Sequence, residues 1–91
     1  MNVQKSKKLI FGIVGYGSIG KVHEKILNQL QYENFIYDPN LKNKKNKISL
    51  LEMKNKCNAI IISSPSYTHY KYMKFFSNNT KHIFIEKPFS H

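Results

Sequence analysis

A parallel α/β sheet with helices on both faces is the fold class this sequence predicts, and three observations carry the prediction. An apolar run, Leu9 to Val14, stops at glycines spaced G-x-G-x-x-G: Gly15, Gly17 and Gly20. An amphipathic helical pattern opens at once behind them. A second apolar run, Ala59 to Ser64 with the β-branched triplet Ile60-Ile61-Ile62, is followed by another helical pattern. A strand, a glycine turn and a helix start form the context in which such glycines signal a dinucleotide-binding unit of Rossmann type. Gly15 permits the tight turn, Gly17 lets the backbone approach a pyrophosphate, and Gly20 lets the helix pack close. The amides at the helix start then face the anion, helped by the helix dipole.

Met1 to Lys8 reads as a polar lead-in and residues 9–91 as one domain. Leu9 to Val14 is apolar on both sides, as a central parallel strand should be. The helix predicted from Ser18 to Gln31 carries Ile19, Val22, Ile26, Leu27 and Leu30 on one stripe, which is expected to cover the sheet. Phe35 to Asp38 is the second strand, ended by the Asp38-Pro39-Asn40 turn. Asp38 lies about where an acidic residue takes the adenosine ribose hydroxyls, about 20 residues beyond the glycines. The plainer role for Asp38 is to cap that turn.

Pro39 to Lys47 is rich in lysine and asparagine and has no apolar face, so it reads as a solvated loop. A parallel crossover normally takes a dozen residues or more and a helix. Either the crossover is stripped down, or a third strand survives as a vestige around Ile48. The expected strand order is 3-2-1-4-5, with that third strand in doubt. Ser49 and Glu52 have capping-box spacing and open a short helix, Leu50 to Lys56. After Ala59 to Ser64, Ser64-Pro65-Ser66 breaks the strand. A helix from Thr68 to Asn78 presents Tyr72, Met73 and Phe76, and Asn78 or Asn79 ends it. His82 to Glu86 is the last strand, closed by Lys87-Pro88.

Composition narrows the function classes. Ninety-one residues make one small domain whose stability should be marginal. The net charge is +10, and all fifteen basic residues are lysine. Arginine is the residue that forks onto guanine edges and phosphates, so its absence argues against nucleic acid. A lysine-rich solvated surface explains the charge. Cys57 is the only cysteine. It excludes an internal disulfide and a cysteine-cluster metal site, and it suits a reducing cytoplasm. No run approaches membrane-spanning length, and the lysines before Leu9 lack the cleavage site of a signal peptide. The expected protein is soluble and cytoplasmic, with no metal and no membrane partner.

Four motifs in chain order bring a resemblance into view. Gly15, Gly17, Gly20 and His23 fit G-x-G-x-x-G-x-x-H, Asp38 ends the second strand, Ser64, Pro65 and His69 fit T-P-x-x-x-H with serine for threonine, and Glu86-Lys87-Pro88 fits E-K-P. In these motifs the sequence resembles the N-terminal cofactor domain of the Gfo/Idh/MocA oxidoreductases, from Leu9 to almost the last residue. The resemblance implies that Gly15 to Gly20 hold the pyrophosphate, with Tyr16, Ser18 and Ile19 lining the loop. It implies that Asp38 binds the adenosine ribose and favours NAD over NADP. Ser63, Ser64, Pro65 and His69 would lie near the adenine and nicotinamide-ribose side, with Glu86 and Lys87 near the nicotinamide. Lys87 is the implied catalytic residue, positioning or polarising a sugar or cyclitol hydroxyl, and Pro88 (often cis in this family) would fix the turn. Taken singly, His23 and His69 read as helix residues with satisfied rings, and Lys87 as surface charge.

Complete members of that family carry a second α/β domain with the substrate pocket, and these 91 residues hold none of it. The resemblance therefore implies a truncated or split chain, inactive alone, whose partners are a dinucleotide and a separately encoded C-terminal domain or further copies of itself. The alternative is a free-standing nucleotide-binding or partner-docking module. Its edge strand, Ile83-Phe84-Ile85, would pair with another chain.

Overall fold

The structure, a computed structural model, describes residues 8–77 and 82–87. Four strands run in parallel: β1 Ile10–Val14, β2 Glu33–Tyr37, β3 Ala59–Ile62 and β4 His82–Ile85. Their order across the sheet is β2-β1-β3-β4. Three helices accompany them among the described residues: α1 Ser18–Gln29, α2 Leu50–Lys56 and α3 His69–Phe76, the last preceded by a 3-10 turn at Ser66–Thr68. The Rossmann-type parallel α/β fold expected from the glycine turn and the apolar runs is what forms. The expected third strand is reduced to a single parallel bridge between Ile36 and Lys47, on the outer side of β2. Two backbone bonds frame that bridge, Ile36 N–H to the Asn46 carbonyl and Ile48 N–H to the Ile36 carbonyl, each 2.9 Å. Residues 38–49 contain no helix.

Each face of the sheet has its own core. On one, α2 and α3 bury Met53, Tyr72 and Phe76 against Val14, Ile60 and Ile62, with Cys57 among them. Gly12 belongs to this packing, because a methyl group there would lie 2.6 Å from the Met53 side chain. On the other face α1 lays Leu27 over Ile13, Ile36 and Ile61. The capping box at α2 is complete: Glu52 N–H donates to Ser49 Oγ at 3.1 Å, and Ser49 N–H donates to Glu52 Oε1 at 3.0 Å.

The apolar stripe expected on α1 does not form as read. Leu27 is buried, but Val22, Ile26 and Leu30 are 54%, 45% and 62% exposed, and Gly20 and Glu24 face the sheet instead. The reason is a backbone contact. Gly20 sits so close to the Gly15 carbonyl that no Cβ fits between them. This fixes the rotation of the helix about its axis and turns the line Gly20, Glu24, Leu27 inward.

The helix also ends at Gln29 rather than Gln31. Gln31 takes a left-handed conformation, φ 65°. Its N–H reaches the Asn28 carbonyl and the Tyr32 N–H reaches the Leu27 carbonyl, which is a Schellman ending without glycine. On α3, Tyr72 and Phe76 are buried as expected, whereas Met73 is 37% exposed. The expected cap at Asn78 or Asn79 and the Pro88 turn lie outside the described residues.

Pro39 to Lys47 is the solvated loop its composition suggests, with Leu41, Lys44 and Asn46 half-buried as its anchors. Leu41 packs against the α1-side core. The Glu24 carboxylate accepts from the Tyr16 hydroxyl at 2.5 Å and from the Asn46 amide at 3.2 Å, and it pairs with the Lys44 ammonium at 3.1 Å. Asn46 donates as well to Asn34 Oδ1 at 3.2 Å. A buried polar network thus does the anchoring that a crossover helix would otherwise do. Among the described residues no helix is long and apolar enough to cross a membrane.

Candidate functional site

The register of the sheet builds the site. Val14 pairs with Tyr37 on one side and Ile62 on the other, and Ile62 pairs with Ile85. The residues that follow these four, Asp38, Gly15, Ser63 and Glu86, therefore stand in a row along the carboxyl edge. Backbone bonds carry the ladder one step further: Gly15 N–H to the Tyr37 carbonyl, Ser63 N–H to the Val14 carbonyl and Glu86 N–H to the Ile62 carbonyl, at 2.8, 2.8 and 2.9 Å. In an open parallel sheet ligands bind outside this edge, where successive crossovers leave to opposite faces.

A cleft of about 440 Å³ lies over the row. Gly15, Gly17, Ser18 and Ile19 form its centre, Asp38 one end, and Glu86 with Lys87 the other. Ser63, Ser64, Pro65 and His69 line it from the β3 side. Two expected residues are elsewhere. Gly20 is buried behind the loop against Gly15, and the Tyr16 side chain lines a separate hollow with Lys21 and Leu41. Asn40 and Ser66 also line the cleft without having been singled out in the sequence. The only signal for either was its turn-forming type beside a proline.

Local geometry explains the centre. Gly15 has φ +100°, a conformation that L side chains rarely adopt. Gly17 is the N-cap of α1 in an extended conformation, and a Cβ there would meet nothing within 4 Å. No side chain caps this helix start, and its first turn carries no acid. The leading amides are left to an outside acceptor, and the helix dipole favours an anion at that point.

Asp38 is held by the backbone on both oxygens: Tyr16 N–H donates to Oδ2 at 2.7 Å and Asn40 N–H to Oδ1 at 2.8 Å. It caps its own turn and is also locked to the glycine loop. Each oxygen keeps a lone pair for a further donor. Behind it stands the Glu24 cluster. Burial works against the charged form of Glu24, but the Tyr16 hydroxyl, Lys44 and Asn46 outweigh it and hold the carboxyl below its ordinary value. Their own bonds to the Glu24 carboxylate raise the Tyr16 phenol and the Lys44 ammonium above theirs.

On the β3 side, the Ser63 hydroxyl donates to the Gly15 carbonyl at 2.8 Å and ties the two loops together. His69 Nε2 lies 2.8 Å from the Ser64 carbonyl, so that nitrogen carries the proton and donates. The His69 ring is thereby committed to shaping the serine-proline turn. His23 differs: its Nε2 is buried with no hydrogen-bond partner among the described residues, 3.6 Å from Glu86 Oε1. Among the described residues no three histidine, cysteine, aspartate or glutamate side chains are grouped to hold a metal ion.

Residues 9–91 match the profile of the Gfo/Idh/MocA oxidoreductase family, described as having an NAD-binding Rossmann fold. No curated protein matches the chain in sequence. Among solved structures it is similar to UDP-N-acetylglucosamine 3-dehydrogenase GnnA from Acidithiobacillus ferrooxidans. The identity is 19% and the TM-score 0.74, with 94% of this chain and 32% of that one covered. A second crystal form of that enzyme gives 20% identity and the same TM-score, with 93% and 31% covered. The dehydrogenase MviM from Clostridium difficile is 25% identical at a TM-score of 0.72, with 90% and 31% covered. The chain thus spans about a third of the length of these structures.

Proposed function

The chain belongs to the Gfo/Idh/MocA oxidoreductase family, and from that premise we propose that its cleft holds a nicotinamide dinucleotide, with NAD preferred over NADP. One observation carries the reading: an uncapped helix start at an open Gly17, one strand away from a carboxylate whose two oxygens are fixed by backbone amides. The pyrophosphate would rest on the amides of Ser18 and Ile19 within the loop Gly15 to Gly20, with Tyr16 behind it. Asp38 would accept from the adenosine ribose hydroxyls, and its charge would repel a 2′-phosphate. With the adenosine at β2 and the pyrophosphate at β1, the other half of the ligand falls toward β3 and β4. Ser63, Ser64, Pro65 and His69 would flank it, and Glu86 and Lys87 would meet the nicotinamide end.

The bound cofactor would supply hydride transfer. We assign Lys87 the task of orienting or polarising the hydroxyl of a sugar or cyclitol substrate, a role that rests on the Glu86-Lys87-Pro88 resemblance. Among the described residues the cleft is open to water, and no separate chamber for a substrate is walled off. The reading is of a cofactor-binding half that turns over substrate only together with a second domain. A second reading, a partner-docking module without catalysis, is favoured by β4. That strand leaves Phe84 55% and Ile85 38% exposed at the end of the sheet.

Gly17→Val is the test. The extended backbone at Gly17 and the empty space around it tolerate valine, so the variant should fold as before while filling the cradle. Calorimetry should show NAD binding to the unaltered chain and none to the variant, at equal melting temperatures without ligand. A melting temperature that saturating NAD and NADP both leave unchanged would remove the binding assignment.

A further inference from the structure

We infer that His23 is a positioning residue for the nicotinamide end of the cleft, acting by donation from its Nε2 to the Glu86 carboxylate. The inference rests on the dinucleotide reading above.

It starts from the rotation of α1 that Gly20 imposes. With Gly20 and Leu27 turned to the sheet, Glu24 and His23 fall on opposite flanks of the buried line. Glu24 reaches past β2 and, through Tyr16, braces the loop whose amide holds Asp38. His23 reaches the other way, to the end of β4. Its Nε2 is buried, has no hydrogen-bond partner among the described residues, and lies 3.6 Å from Glu86 Oε1. A buried donor without a partner costs about 1–3 kcal/mol. Closing about 0.8 Å converts that cost into a bond to a charged acceptor, the stronger kind.

Glu86 is free to respond. Its backbone is pinned, N–H to the Ile62 carbonyl at 2.9 Å, while its carboxylate is 39% exposed at the rim of the cleft. Fixing that carboxylate fixes the negative charge beside Lys87 at that end of the cleft. One helix would then brace both ends of the cleft, through adjacent residues.

The experiment compares NAD with ADP-ribose, which lacks only the nicotinamide ring, by calorimetry on the 91-residue chain. His23→Leu should lower the ratio of NAD affinity to ADP-ribose affinity about fivefold, the value of one net hydrogen bond. ADP-ribose affinity itself should stay unchanged. His23→Gln, which keeps a donor near the Nε2 position, should restore the ratio. In a Glu86→Ala background His23→Leu should have no further effect. An unchanged ratio in His23→Leu overturns the inference, and so does an equal loss of both ligands, which would make His23 merely structural. An unaltered chain that binds the two ligands equally well overturns it too. Failure of the unaltered chain to bind either ligand removes the dinucleotide reading itself, and this inference with it.

Discussion

The two faces of the sheet are held in different ways. Under α2 and α3 the packing is apolar throughout: Val14, Met53, Ile60, Ile62, Tyr72 and Phe76 interdigitate, and Gly12 makes room for Met53. Under α1 four buried apolar residues share the face with a carboxylate, an asparagine pair and a glycine-on-carbonyl contact. The first face is where the chain gains stability by removing apolar surface from water. The second aims a helix start at the carboxyl edge, and its geometry is set by a close backbone contact that leaves Val22, Ile26 and Leu30 in solvent. Precision at the cleft and economy of burial are thus assigned to opposite sides.

Substitutions can break this contrast, beginning with the apolar face. Phe76 is fully buried there. Phe76→Ala should cost about 4 kcal/mol, most of the stability of a domain this small. Urea unfolding should show the native baseline shortened or gone. A well-folded variant would mean that α3 contributes little to the fold.

On the other face the comparable change is Glu24→Gln, expected to cost about 2 kcal/mol by weakening the bonds to Tyr16, Lys44 and Asn46. It should also alter the pH dependence. Glu24 is held below its ordinary value in the folded chain. Its contribution is therefore complete above the ordinary carboxyl range and is lost as the pH falls through the lowered one. Denaturation midpoints measured across the acid range should fall less steeply in Glu24→Gln than in the unaltered chain. Equal slopes would remove Glu24 from the account of acid stability.

The smallest expected effect is a gain. Gln31 occupies a left-handed position that closes α1, and Gln31→Gly should stabilise by about 1 kcal/mol by relieving that conformation. The thermal midpoint should rise by a few degrees. A fall would indicate that the glutamine side chain contributes more than its backbone costs.

Much of the site could be read before any coordinates. Gly15 and Gly17 were legible because backbone sterics demand glycine at a tight turn before a helix, and the place of Asp38 because an aspartate-proline turn ends a strand. Ser49 and Glu52 were legible because a capping box is a local bond pattern. The rotation of α1 was not. The stripe Val22, Ile26, Leu30 is a sound amphipathic reading, and no periodicity reveals that Gly20 must touch Gly15. The loop after Asp38 is solvated as its composition implies, but nothing in its sequence shows that Lys44 and Asn46 anchor it to Glu24 on another element.

What the sequence determined alone is whatever depends on neighbours along the chain: the strands, the glycine turn, the helix starts, and the acid at the end of β2. The tertiary structure decided which side of α1 is buried, that the third strand shrinks to one bridge, and that Glu24 and His23 reach opposite ends of one cleft. Those outcomes depend on contacts between residues far apart in sequence. Such contacts are set by how closely two backbones can approach, a distance that no local pattern of side chains encodes.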